Sequence, residues 1–428
     1  MPSHNQAGTG LDPQAVISAL RRCKVGADFW AEAATLPHGR DVILCPSSPE
    51  ALQGIVEAAR GAGVLHRAVV RGKSIDPALP GWGKAVDPWQ ACEAAAMVIA
   101  DANEEWALVA ALSRCPLLVV GEGPFSALSP AAFGERCSED ALQSVVRDEV
   151  IGRWRYIDPF SNAPTAATTI IEMMGDWRRT ITVNRDVSAI FGVAAWKRVA
   201  TDALLWDGRG PVRYARPTRN GGAGLPHGAL ALAWMARTDA KMMNALARAG
   251  VRVGEIEDGM IRSNGLGANC VPPLSIVVDS QGPHFDPSRP SELEDILQTA
   301  EIGADLCVRA AGLRETIVQR GIGKYGQWHV EPAVTGAMPA RRVVLVTGQV
   351  EDDRSILCGG AGLDNLELLR RARALEPDAW IVFKPHPDVE AGHRKGHVPD
   401  AKALCLADEI DRTSSISALL GLADAVHV

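Results

Sequence analysis

The chain has 428 residues, too many for one ordinary core, so two or three domains are expected. A hydrophobic fraction of 47% with 22% charge excludes a disordered chain, and 44 basic against 51 acidic residues, a balance of −7, argue against broad nucleic-acid binding. Nine cysteines without a CxxC pair point to reduced, mostly buried thiols rather than a zinc site. The opening "MPSHNQAGTGLDPQAV" lacks a basic-then-apolar signal pattern, and no run of about 18 apolar residues occurs, so a cytoplasmic protein is expected.

Strand and helix patterns alternate from the start. Residues 41–47, "DVILCPS", read as a strand before a helix from Pro49 to Ala62. "HRAVVRG", "AMVIADA" and "PLLVVGEG" are further strands, and "EEWALVAALSRC" is a helix before the last of them. This alternation predicts a parallel sheet with covering helices, so residues 1–137 form one α/β unit. From 138 to 205 the pattern turns helical and reads as a connector. A second α/β unit spans 206–330, with strands "GALALAWMAR", "VRVGEIE" and "PPLSIVVDS" and helices at 239–249, at "PSELEDILQTA" and near 304–320. The stretch "GQWHVEPAVTGAMPA" is rich in turn formers and reads as a linker. The third unit, 340–428, runs strand "RRVVLVTGQ", helix "NLELLRRARAL", strand "WIVFKPHP", helix "SSISALLGLADA" and strand "AVHV". Three strands are few for a parallel sheet, so an incomplete donor-side domain is expected.

Three polar clusters follow strands of the last two units. The first is "EIEDGMIRSNGLG", where Glu257, Asp258, Arg262 and Ser263 sit among glycines. It falls beyond the carboxyl end of a strand, where ligands of open α/β sheets bind, although its spacing is not GxGxxG. A turn with solvated acids is the plain alternative. The second is "VTGQVEDDRSILCGGAGLDN", with Gln349, Glu351, Asp352, Asp353, Arg354 and Ser355. Its adjacent acids admit a metal pair or a single carboxylate nucleophile beside an anion-holding arginine. The third is "FKPHPDVEAGHRKG", in which Pro385 and Pro387 stiffen a loop carrying Lys384 and His386. Imidazole and ammonium donors on a rigid loop suit a phosphate. Zinc is disfavoured because His386 and His393 are seven apart and no third ligand is suitably spaced.

In order, "EDGMIRSNGLG", "PPLSIVVDSQGPHFDPSRPSELE", "VTGQVEDDRSILCGGAG" and "KPHPDVEAGHRKG" resemble bacterial capsular polysaccharide proteins of the KpsC/KpsS type, the β-Kdo glycosyltransferases. The resemblance covers residues 186–428 well and 1–160 weakly. It implies an α/β fold of Rossmann-like domains in a GT-B-type two-domain arrangement, here preceded by a degenerate α/β unit and the helical connector. It also implies transfer of Kdo, an eight-carbon acidic sugar, from CMP-β-Kdo with retention to a lipid-linked Kdo acceptor. Capsule-assembly partners at the inner face of the inner membrane are part of the same expectation; nucleic acid is not.

Under that resemblance Asp353 aligns with the catalytic aspartate and is the expected nucleophile, with Glu257 or Asp258 as acid/base toward the acceptor. Kdo carries a carboxylate on its anomeric carbon, so the site must hold two anions. Lys384 and His386 are candidates for the phosphate, and Arg262 and Arg354 for the sugar carboxylate, since guanidinium pairs bidentately with it. Ser263, Gln349, Ser355, Pro387 and Lys324 complete the expected substrate-binding set. No cofactor or metal is expected, because basic side chains can neutralise the departing CMP. The alternative is a catalytically weak or inactive capsule-assembly protein of the same fold. Members of the family continue past the last strand, so weak binding and little turnover by this chain are also expected.

Overall fold

The structure, a computed structural model, describes residues 12–73, 79–215, 224–265, 269–327 and 341–428, apart from the side chain of Asp305. Most of the expected linker at 326–340, and Leu266 and Gly267 of the first polar cluster, lie outside the described residues. The chain divides into two compact units: Met1–Arg185 with Trp206–Gly210, and Asp186–Leu205 with Pro211–Val428.

In the first unit, Asp12 caps α1 (Pro13–Cys23) through the Gln14 N–H, and Pro13 occupies the first turn, where its missing donor costs nothing. There follow β1 (Val42–Cys45), α2 (Pro49–Gly61), β2 (Ala68–Val70), α3 (Pro88–Ala94), β3 (Met97–Asp101), α4 (Trp106–Leu112) and β4 (Leu117–Val120). The strands form one parallel sheet in the order β2-β1-β3-β4. Their short apolar runs are almost wholly buried, as strands covered on both faces require. Trp89 and Trp106 fill one side of this core. α5 (Glu139–Val145) continues into a π-helical turn, and α6 (Ala167–Asn184) packs on α1.

The second unit opens with β5 (Val187–Phe191), inside the stretch read from sequence as helical connector. α6 ends at Asn184 and β5 starts three residues later without glycine or proline, so nothing in the sequence punctuates the change. α7 (Arg198–Leu204), β6 (Leu230–Ala233), α8 (Ala240–Arg248), β7 (Arg252–Asp258) and β8 (Ile276–Asp279) follow. They build a sheet ordered β5-β6-β7-β8, parallel except for the antiparallel edge strand β8. α9 (Glu292–Thr299) and α10 (Ala304–Gln319) lead to a small hairpin, β9 (Ile322–Gly323) and β10 (Gly326–Gln327).

The last sheet begins with β11 (Val343–Thr347), followed by α11 (Arg354–Gly359), α12 (Asn365–Leu375) and β12 (Trp380–Lys384). The one-turn helices α13 (Pro387–Glu390) and α14 (Asp400–Ala403) precede β13 (Glu409–Ile410), α15 (Ile416–Leu422) and β14 (Ala425–His427). The order is β13-β12-β11-β14, all parallel, so four strands replace the three expected. The two-residue β13 is too short to leave a periodic signal. Both sheets of this unit bury apolar clusters on each face, which makes them Rossmann-like layers in the paired arrangement expected. The cysteines correct a further expectation: Cys23, Cys45, Cys92 and Cys115 are buried, but Cys270, Cys307, Cys358 and Cys405 are exposed. Among the described residues no helix is long and apolar enough to cross a membrane.

Candidate functional site

Side chains alternate across a strand, and at the end of β7 this separates the acids. Ile256 packs on the face holding Leu232 and Trp234, and Asp258 shares that face. Glu255 and Glu257 point the other way and meet Arg354 at the start of α11. Buried Glu255 accepts from Arg354 Nη1 at 2.7 Å and Nη2 at 3.3 Å, and also from Arg289. Glu257 Oε1 lies 3.4 Å from Arg354 Nη1. Burial raises the Glu257 carboxyl to about 7 against the pull of Arg354, and the negative charges of Glu255, Asp258 and Asp353 add to the rise. Phe285 covers Arg354, whose Cζ lies 5.5 Å from the ring centroid.

Asp353 caps α11: its Oδ1 accepts from the Ser355 N–H at 3.0 Å and the Ser355 hydroxyl at 2.9 Å. Its other oxygen, Oδ2, lies 3.6 Å from Arg394 Nη2, and the side chain is half exposed. This leaves a carboxylate oxygen open to a ligand while the first oxygen fixes the rotamer. The neighbouring acids are occupied elsewhere. Asp352 accepts from Arg394 Nε at 3.2 Å, and Glu351 accepts from the Asn365 N–H at 3.0 Å. Among the described residues no group of three His, Cys, Asp or Glu is arranged to hold a metal ion.

The basic loop is set beside this carboxylate by close backbone approach. At Gly348, after β11, a Cβ would come within 3.1 Å of Pro385 Cα and 3.2 Å of His386 N, so the two strand-end loops touch. His386 caps α13 by accepting the Asp388 N–H on Nδ1 at 3.1 Å, which leaves the ring proton on Nε2. Burial lowers the imidazole, against the charge of Asp388, with Lys324 adding to the drop; a neutral donor results. Pro387 supplies the first residue of that helical turn. Lys384 lies 4.0 Å from buried Asp411, and burial lowers its ammonium against that partner. The β9–β10 hairpin brings in Lys324 and Tyr325. Its Lys324 carbonyl accepts the Arg262 N–H at 2.8 Å and the Ser263 N–H at 3.2 Å, and Tyr325 meets His386 edge-to-face at 6.5 Å.

The structure therefore gathers Glu257, Asp353, Arg354, His386 and Lys324, drawn from both four-stranded sheets of the second unit and from the β9–β10 hairpin. Two candidates turn away. Arg262 is 1% exposed, with Nη1 donating to Ser263 at 2.5 Å and Nε lying 2.8 Å from Asp258 Oδ2. It braces Asp258 and corrects the expectation of a carboxylate-binding fork. Ser263 is likewise buried and hydrogen-bonded to the Gly265 carbonyl. Gln349 and Ser355 line a cleft of about 380 Å³ with Phe285, Ile356, Leu363 and Asn365. Sequence reading missed Asn365, which is buried and ties Gln349 to the Gly396 carbonyl, and it missed Glu255, Phe285, Arg289 and Lys197. Asparagine beside the capping Asp364 reads only as a helix start, so no sequence signal marked it.

Acid and basic loops thus meet beyond the carboxyl ends of strands in two Rossmann-like sheets, the place where open α/β folds bind ligands. Residues 230–320 and 327–418 match the family described as capsule polysaccharide biosynthesis protein. The capsule polysaccharide modification protein LipA of Neisseria meningitidis serogroup B is 32% identical over 275 residues, covering 64% of this chain and 39% of that protein. The lipopolysaccharide-processing protein LpsZ of Rhizobium meliloti is 38% identical over 196 residues, 42% of this chain and 44% of its own length. The match thus spans less than half the length of either relative. Among solved structures, the beta Kdo 2,4 transferase of Thermosulfurimonas dismutans KpsC is 23% identical with a TM-score of 0.44, covering 56% of this chain and 73% of that one. The beta Kdo 2,7 transferase of the same KpsC is 28% identical with a TM-score of 0.40, covering 56% and 71%.

Proposed function

We propose that the second unit carries a retaining glycosyltransferase site that moves Kdo from CMP-β-Kdo to a lipid-linked Kdo acceptor in capsule polysaccharide biosynthesis. The observation that carries this reading is a pair of carboxyl groups in opposed environments. Glu257 is partly buried and raised to about 7, while Asp353 is more exposed, beside Arg394. Environments that separate two carboxyl groups in this way suit one to proton transfer and the other to nucleophilic attack. In the first displacement an Asp353 oxygen bonds to the anomeric carbon, and CMP departs with the electron pair of the broken C–O bond. Lys324, Lys384 and the Nε2–H of His386 supply positive charge and a donor for its phosphate. In the second, the acceptor hydroxyl attacks that carbon, Asp353 leaves as carboxylate, and ionised Glu257 takes the hydroxyl proton. Asp258, clamped by Lys197 and Arg262, is the poorer acid/base candidate. The reaction is assigned no metal and takes place against the inner membrane, where the acceptor resides.

Incubation with CMP-Kdo generated in situ and a synthetic Kdo-lipid acceptor, followed by mass spectrometry, tests this. The expected product is the acceptor extended by one Kdo. A second reading, a capsule-assembly protein without turnover, draws on Arg262 and Arg354, whose guanidinium groups are already paired with protein carboxylates. An unchanged acceptor after incubation with a donor whose binding is verified by calorimetry would select that reading and overturn transfer.

A further inference from the structure

Lys197 has no part in the chemistry above, yet it is only 8% exposed, and lysine is rarely buried unless paired. Its ammonium lies 3.6 Å from the centroid of the Trp234 ring and 5.2 Å from that of Trp196. It forks onto both oxygens of Asp258, at 3.1 and 3.2 Å. Two indole faces and a carboxylate thus enclose one cation, which is how a desolvated ammonium keeps its charge. The local chain is shaped to deliver it. β5 is followed at once by Gly192, with φ 74°, where a side chain would run into the Trp234 carbonyl. The turn then carries Trp196 and Lys197 back over the carboxyl end of β7. Arg262 closes the far side of Asp258, and its own guanidinium lies 5.9 Å from the Trp196 ring. Among the described residues its Nη2 is buried without a hydrogen-bond partner, so the cluster is organised around charge rather than donor count.

We propose that Lys197 is a positioning residue of the candidate site: it holds the Asp258 carboxylate in place next to Glu257 on β7, and the balance of charge among Lys197, Arg262 and Asp258 sets where Glu257 gives up its proton. The charged groups around Glu257 are Glu255 and Asp258 on its own strand, Arg354 and Asp353 from α11 and its cap, and the Lys197–Arg262 pair behind Asp258. Removing the Lys197 charge leaves Asp258 half-compensated and makes ionised Glu257 less favourable. Removing the Asp258 charge leaves Lys197 uncompensated and acts in the opposite sense. A residue that merely filled space would move neither. The proposal rests on the reading of Glu257 as acid/base only for its consequence to turnover.

The test is a carbon-13 NMR titration of the full chain labelled at the glutamate carboxyl carbon, with Glu257→Gln identifying the signal. In Lys197→Met, which keeps an apolar stem between the indoles, the Glu257 midpoint should rise by about one pH unit, a tenfold gain in proton affinity. In Asp258→Asn it should fall by a similar amount, and Lys197→Arg should return it close to the wild-type value. Equal midpoints in all four proteins, or shifts of one sign in Lys197→Met and Asp258→Asn, would overturn the proposal. Should Lys197→Met fail to fold, Asp258→Asn decides alone: an unmoved or raised midpoint rejects the role. The titration needs no substrate, so a chain without transferase activity would reject the function above and leave this result standing.

Discussion

Asp353 plays two separable parts, helix cap and expected nucleophile, and substitution distinguishes them. Asn keeps an oxygen for the Ser355 N–H, whereas Ala leaves that donor without its cap, at a cost of about 1 kcal/mol. Both substitutions should abolish transfer, while only Asp353→Ala lowers the melting temperature. Turnover near wild type by Asp353→Asn would remove the nucleophile role. The neighbouring acids lead to a second expectation. Glu351 is held by Asn365 and Asp352 by Arg394, so transfer should survive EDTA. Activity lost to EDTA and regained with Mg²⁺ or Mn²⁺ would instead make these acids metal ligands. At this scale the sequence showed which residue types gather but not which face they take. "EIED" offers three carboxylates in four positions, and only the pleat of β7 sends Glu257 toward Arg354 and Asp258 toward Lys197. Arg262 was misread for the same reason, because burial beneath a hairpin formed about sixty residues later leaves no local mark.

At the scale of elements, α11 and β7 are joined by one arginine. Arg354→Met leaves buried Glu255 with Arg289 alone and strips Glu257 of its nearest cation. The loss should be about 3 kcal/mol at pH 8, since truncating one partner strands a desolvated charge. At pH 5 it should be smaller. The Glu257 carboxyl is raised from 4.5 to about 7, so its contribution is fully present below the unfolded value and is lost as the pH rises toward 7. With Glu257 protonated, less charge depends on Arg354. Equal destabilisation at both pH values, read by urea denaturation, would show that Glu257 does not titrate in this range. Most elements were legible because each is a short apolar run followed by a capped helix: Ser48, Asp239, Ser291 and Asp364 all stand where a helix begins and accept from its first turn. The exceptions have physical causes. β5 follows a helix without a breaker, α11 is a six-residue helix whose cap is a candidate catalytic residue, and the antiparallel direction of β8 depends on a loop rather than on its own residues.

Across the whole chain, the family match falls within the second unit, and the first unit has its own core around Trp89 and Trp106. The backbone passes between the units at 185–186, 205–206 and 210–211, so the division is not a simple cut in the sequence. Composition and strand spacing revealed the three larger sheets but not the β9–β10 hairpin; they could not reveal that β5 belongs with residues beyond 211, because that assignment is made by pairing with β6. Units with separate apolar cores unfold as separate cooperative blocks unless a large interface couples them. Two calorimetric transitions are therefore expected, and Glu257→Gln offers a label for one of them. At pH 8 the wild-type protein must keep a partly buried, ionised carboxylate at this position, whereas glutamine is neutral at every pH. The variant should raise the transition of the second unit at pH 8, by roughly 2–4 °C for each kcal/mol recovered. At pH 5, where Glu257 already holds its proton, the gain should shrink, and the transition of the first unit should stay in place at both pH values. A single transition with equal calorimetric and van't Hoff enthalpies would show that the two cores unfold as one, and a shift of both transitions together would show that the charge at Glu257 is felt beyond its own unit.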